Sequence, residues 1–197
     1  MLLALAGLLA AVLVGLLRGG DLSRLGQLHL RSRRMVWAAL ATQFAGGIVG
    51  GPVYVVGLVL SAALVAVFLS GNRGIRGTGL VALGLVANAL VVGLNGAMPV
   101  SVTAAARAGV STLDVLSGAD PRHEIAGDST RLPWLGDVIA VPAPVRAEVV
   151  SPGDVLVAAG LAQLVVLGMG SRGRSQGRHG EGRLSRRTPG MPNGPQA

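Results

Sequence analysis

The sequence predicts an all-α, polytopic membrane protein. It has five transmembrane helices, its N-terminus outside, its C-terminus in the cytoplasm, and an extracytoplasmic loop region between helices four and five. Three observations carry that expectation. Hydrophobic residues make up 51% of the 197 residues and charged residues only 13%, about half the charge of a typical soluble domain. Long apolar runs without a charged residue recur along the chain. Most of the 17 basic residues, every one an arginine, fall on one side of those runs.

A membrane-spanning helix needs about 20 mostly apolar residues, within a range of roughly 17–25. Residues 1–17 form the first run, with no charge before Arg18. Nothing basic precedes that run and a basic cluster follows it, which reads as an uncleaved anchor rather than a signal peptide. Residues 35–69 are charge-free but too long for one span at about 1.5 Å of rise per residue. Gly50, Gly51 and Pro52 divide the stretch into spans 35–50 and 52–69, with Pro52 opening the second helix. The fourth span is 77–95 and the fifth 154–170. Ser151-Pro-Gly-Asp154 leads into the fifth, with Ser151 as N-cap, Pro152 in the first turn and Asp154 closing a capping box. The membrane domain therefore covers 1–170, including an extracytoplasmic region at 96–153. The Arg/Gly-rich stretch 171–197 reads as a disordered cytoplasmic tail.

Loop charge sets the orientation, because short cytoplasmic loops carry the arginine excess. The segments after spans one, three and five hold 13 arginines against 2 acids, which is +11. The opposite side holds 4 arginines against 7 acids, which is −3, and the two account for the net charge of +8. Near the first basic cluster, Leu22, Leu25 and Leu28 recur every three residues among arginines, a pattern suited to the inner membrane surface.

Composition also excludes several chemistries. Without cysteine there are no disulfides, thiolate metal sites or thiol catalysis. Aromatics at 3% argue against base-stacking platforms, and no specific nucleic-acid binding is expected. Beyond Asp154 at the start of the fifth, the spans carry no charged residue, so their strongest polar groups are amides: Gln43, Asn88, Asn95 and Gln163. These serve either as interhelical glue or as a polar membrane site. Small residues at four-residue spacing (Gly7, Ala11, Gly15; Gly46, Gly50; Gly47, Gly51; Gly84, Asn88; Ala89, Gly93) are candidate close-packing positions.

The extracytoplasmic region holds the remaining candidates. Ser101 or Thr103 caps a short helix reaching Arg107 and stopped by Gly109, and Ser111 caps a second from Thr112 to Ser117. The densest polar group follows: Asp120, His123, Glu124 and Asp128. A single histidine at this spacing matches no zinc motif, so no metal and no cofactor is expected. The reading is a loop of turn and ion-pair contacts, with a site as the sharper possibility. Leu132 to Pro144 is apolar and proline-punctuated, and Trp134 suits a membrane boundary. It is expected to lie as a strap across the helix ends.

Four separated motifs support a family resemblance. Arg18-Gly-Gly-Asp-Leu-Ser-Arg-Leu25, Asn95-Gly-Ala-Met-Pro-Val100, Thr130-Arg-Leu-Pro-Trp-Leu-Gly-Asp137 and Ser151-Pro-Gly-Asp-Val155 together resemble DUF5317, a family of small bacterial integral membrane proteins. The resemblance covers about 1–169. It implies a multi-pass protein of the bacterial cell membrane with this helix layout, and it brings no activity or site residue.

The functional expectation is a non-enzymatic accessory or scaffold protein of the cell envelope. Its partners would be the lipid bilayer and an envelope protein or a second copy of itself. The alternative is a small-molecule or lipid transporter or channel with an amide-lined site. A third reading is a membrane enzyme using His123 and nearby acids.

Overall fold

The computed structural model describes residues 2–27, 30–113, 117, 120–144 and 146–170, and it is mostly helical. The order is α1 (Leu2–Leu17), α2 (Ser23–Gly26), α3 (Arg34–Val49), α4 (Gly51–Gly71), α5 (Thr78–Asn95), β1 (Met98–Val100), α6 (Val102–Ala108), β2 (His123–Ile125), a 3₁₀ turn (Pro133–Leu135), β3 (Ile139–Val141), β4 (Glu148–Val150) and α7 (Pro152–Gly170). The tail from 171 and residues 114–116 of the second short helix expected at 112–117 lie outside the described residues.

Helices α4, α5 and α7 are long and apolar enough to cross a membrane. Helices α1 and α3 are apolar but shorter, at 16 residues each. The α3–α4 break falls where the glycines and proline predict it. Gly50 and Gly51 have φ of +73° and +54°, a left-handed conformation that a side chain would penalise. Pro52 then stands in the first turn of α4.

The principal helix contacts run in the order α3–α4–α5–α7–α1. This is a row in which each helix packs on its neighbours, with α7 between α1 and α5. Close approach of backbones holds the row together. A Cβ built on Gly46 would lie 3.1 Å from the Val53 carbonyl oxygen, and one on Gly57 would lie 2.7 Å from that of Thr42. The α5–α7 crossing is closer still. Gly77 and Gly84 on one side face Gly160 and Gly153 on the other, backbone against backbone. Of the glycines singled out by four-residue spacing, Gly15, Gly46 and Gly84 make close contacts, whereas Gly7 and Gly47 face open space.

The arginine-bearing loops gather at one end of the row. Arg24 Nη1 and the Asp21 backbone N–H both donate to the Met169 carbonyl, at 3.3 and 3.2 Å. Asn72 exchanges two hydrogen bonds with the Arg31 backbone, at 2.9 and 3.1 Å. The ends of α1, α4 and α7 and the approach to α3 therefore meet there. Leu25 packs on Val165 and Met169, so it closes a helix end rather than joining a free amphipathic stripe. Leu28 lies outside the described residues.

At the other end the chain folds into a polar cap, and here the all-α expectation needs correction. Among the described residues there are four short strands. β1 pairs in parallel with β2, and β3 pairs antiparallel with β4. Three-residue strands carry too little periodicity to be visible in sequence, and their pairing joins residues 25 positions apart (Met98 with His123). The α6 helix matches expectation: the Ser101 hydroxyl accepts from the Ala104 N–H at 3.3 Å, and Gly109 ends the helix at φ +77°. The apolar strap also lies as expected. Leu132 and Leu135 pack against the buried Val91, Val92 and Met98, while Trp134 is exposed.

Candidate functional site in the cap

The capping signal before α7 opens into a larger network. Ser151 is wholly buried. Its hydroxyl accepts from the Asp154 N–H at 3.0 Å, and the Asp154 carboxylate accepts from the Ser151 N–H at 3.3 Å, completing the predicted capping box. Asn88 of α5 closes the ring: it donates to Asp154 at 2.8 Å and accepts from the Ser151 hydroxyl at 2.9 Å. Gly153 must lack a side chain because its Cβ would fall on the Asn88 amide oxygen.

Asn95, seven residues on, ties the cap to the same helix. It donates to the Arg131 carbonyl at 2.9 Å and accepts from the Arg131 N–H at 2.8 Å. The other two amides, Gln43 and Gln163, are exposed on the helix row. The four amides thus do not meet in one cavity. Two of them bind the cap and α7, and two face outward.

The polar loop comes together differently. The Asp120 carboxylate accepts from Arg122 Nε at 3.0 Å and lies 2.8 Å from His123 Nδ1. Burial works to raise this carboxyl, but the hydrogen bonds from Arg122 and His123 outweigh it and hold the group at about 2. The opposite ring nitrogen, His123 Nε2, faces the Asp137 carboxylate at 3.6 Å. Asp137 is 7% exposed. Its backbone is pinned between strands, donating to the Pro99 carbonyl at 2.8 Å and accepting from Ser101 at 2.9 Å. Burial, reinforced by the charge of Asp154, pushes the Asp137 carboxyl up to about 7.

These groups line a cavity of about 470 Å³ between α6, the β2 loop and the β4–α7 junction. Four acids border it, Asp120, Asp137, Glu148 and Asp154, together with His123, Arg122 and Arg146. Of the four candidates from the polar loop, Asp120 and His123 line the cavity. Glu124 sits beside it on β2, half-buried, with its carboxyl raised by burial. Asp128 is exposed in the following turn. Asp137 and Glu148 did not stand out in the sequence. Asp137 lies inside an apolar strap, and only the long-range bridge between Val100 and Asp137 brings it to His123. Among the described residues, no group of three or more His, Asp or Glu is placed to hold a metal ion.

Fold and site together define a class: a mostly helical protein with, among the described residues, three helices long and apolar enough to cross a membrane, carrying a polar cap with an acidic cavity. Within that class, the chain belongs to DUF5317, a family of unknown function, whose family model matches residues 27–166. The match runs from just before α3 into α7 and takes in three of the four sequence motifs, leaving α1, α2, the last turn of α7 and the tail beyond it. No curated protein and no solved structure matches the chain.

Proposed function

We propose that this protein is a non-enzymatic accessory protein of the bacterial cell membrane that spans the bilayer five times. Its N-terminus is outside, its C-terminus is in the cytoplasm, and its cap presents the acidic cavity to the exterior. The single observation that carries the reading is the cavity itself, a pocket bordered by four acids and two arginines and built on the ends of apolar helices. A site of this kind favours a cationic group, an ammonium or guanidinium carried by a ligand or an envelope partner.

Two features support binding over the rival readings. In the third reading His123 acts as a base, yet Nδ1 lies on Asp120 and Nε2 faces Asp137, so both ring nitrogens already have acidic neighbours to satisfy. The transporter reading needs convergent amides, and Asn88 and Asn95 are spent on the α7 cap and the Arg131 backbone. The five-span layout is supported by the gathering of arginine loops at one end. The 16-residue helices α1 and α3 stand at the two ends of the row, where a helix of about 24 Å needs the bilayer to thin locally.

Because Asp137 is held at about 7, a bound cation stabilises its ionised form and binding strengthens as pH rises. Titration of protein in nanodiscs with the diamine putrescine should show affinity rising about tenfold from pH 5 to pH 8. Asp137→Asn should abolish that pH dependence. No binding at pH 8, or an unchanged profile in the variant, would contradict the reading.

A further inference from the structure

The arginine-bearing end holds a second cavity, of about 480 Å³. It lies on the last turns of α7, flanked by the end of α1 and by the loop that precedes α5. Its wall is apolar, formed by Ile75, Leu164, Val166 and Leu167. Two cations border it from different directions, Arg18 just after α1 and Arg76 just before α5, and both are exposed. Among the described residues neither has an acidic partner. The acid nearest in sequence to Arg18, Asp21, directs its carboxylate to the Ser23 N–H at 2.8 Å.

An apolar trough with a cationic rim, at the level where apolar helices end, matches a ligand with an anionic head and an apolar chain. Arginine is well suited to such a rim, since its fork of N–H donors fits phosphate oxygens bidentately. Basic pockets between helices at the membrane surface are a general means of holding anionic headgroups. We propose that this groove binds one anionic phospholipid, its phosphate between Arg18 and Arg76 and an acyl chain along the Leu164–Leu167 stretch of α7. The lipid would fill the gap that α1 and α5 leave on α7, joining three elements that the protein alone joins incompletely. The site rests on the membrane reading. Failure of that reading shows as protein extracted from membranes by alkaline carbonate, whereas failure of the site shows as lost lipid selectivity in protein that still resists extraction.

Native mass spectrometry and thermal unfolding of delipidated, detergent-purified protein test the site. With phosphatidylglycerol, wild type should retain one lipid and gain several degrees of stability. Phosphatidylcholine should bind at least tenfold more weakly. The double variant Arg18→Gln/Arg76→Gln should lose that preference, while Arg73→Gln, on the same loop but away from the groove, should keep it. If the double variant fails to fold, Arg18→Lys/Arg76→Lys and salt titration of wild type replace it, both read for the same preference, which 0.5 M NaCl should weaken severalfold. Equal retention of the two lipids, an effect unchanged by salt, or a preference surviving in Arg18→Gln/Arg76→Gln would overturn the site. Stabilisation by inorganic phosphate equal to that by the lipid would overturn the lipid assignment.

Discussion

Replacing Gly160 by leucine should break the α5–α7 pair and cost about 3 kcal/mol or more. A Cβ at that position would lie 2.7 Å from the Gly77 carbonyl oxygen and 2.7 Å from the Val81 backbone nitrogen. Both are main-chain atoms, of α5 and of the glycine that caps it, so no side chain can turn away to make room. The helices must separate instead, and separation also strains the Asn88–Asp154 and Asn88–Ser151 bonds that join α5 to the start of α7. Thermal unfolding in detergent should show a midpoint lower by about 10 °C. Gly79→Ala is the internal comparison. It lies on α5 with nothing within 4 Å of a built Cβ, so it should stabilise by up to about 1 kcal/mol, the ordinary gain of alanine over glycine in a helix. Two helical glycines, one on α7 and one on α5, would then respond with opposite signs, which packing explains and helix propensity does not.

The second large effect is a pH dependence centred on Asp137. Its carboxyl ionises near 3.8 when unfolded and at about 7 in the fold. Between those values the folded state holds the proton that the unfolded state has released. The stability it contributes is therefore fully present below about pH 4 and is lost as pH rises to about 7. A difference of about three units corresponds to about 4 kcal/mol between the two limits. Asp137→Asn cannot ionise and should remove this slope. Unfolding followed from pH 4.5 to pH 8 should show the variant gaining on wild type by about 3 kcal/mol, with the gain confined to that range. Asp120 acts in the opposite sense. Held at about 2, it contributes stability above pH 4 that is lost as pH falls toward 2, outside the window where Asp137 changes.

The features legible in sequence were those decided locally. An apolar run forms its helix wherever it sits, so the helix limits follow the runs to within two residues. A Ser-x-x-Asp cap or a glycine with positive φ is likewise settled by its neighbours, as at Ser151 and Gly50. The cap was less legible because its order is made at a distance. His123 stood out by its residue type, but its contact with Asp137 depends on strands that pair residues from three separate stretches. Asn88 was legible as a polar group that needs a partner, while its partner, the α7 capping box 63 residues away, was not. The same holds for Gly153 and Gly160, whose spacing of seven matters only because Gly77 and Gly84 repeat it across the interface.

The orientation of the cap decides whether the acidic cavity can meet an external partner. The chain has no cysteine, so single cysteines report their location without background. Ser129→Cys lies in an exposed turn of the cap, and Gly74→Cys lies in the exposed α4–α5 loop at the arginine end. With a membrane-impermeant maleimide on intact cells, Ser129→Cys should be labelled at once and Gly74→Cys only after permeabilisation. Labelling of Gly74→Cys in intact cells with Ser129→Cys protected would invert the topology. Labelling of both would contradict the membrane-spanning account altogether.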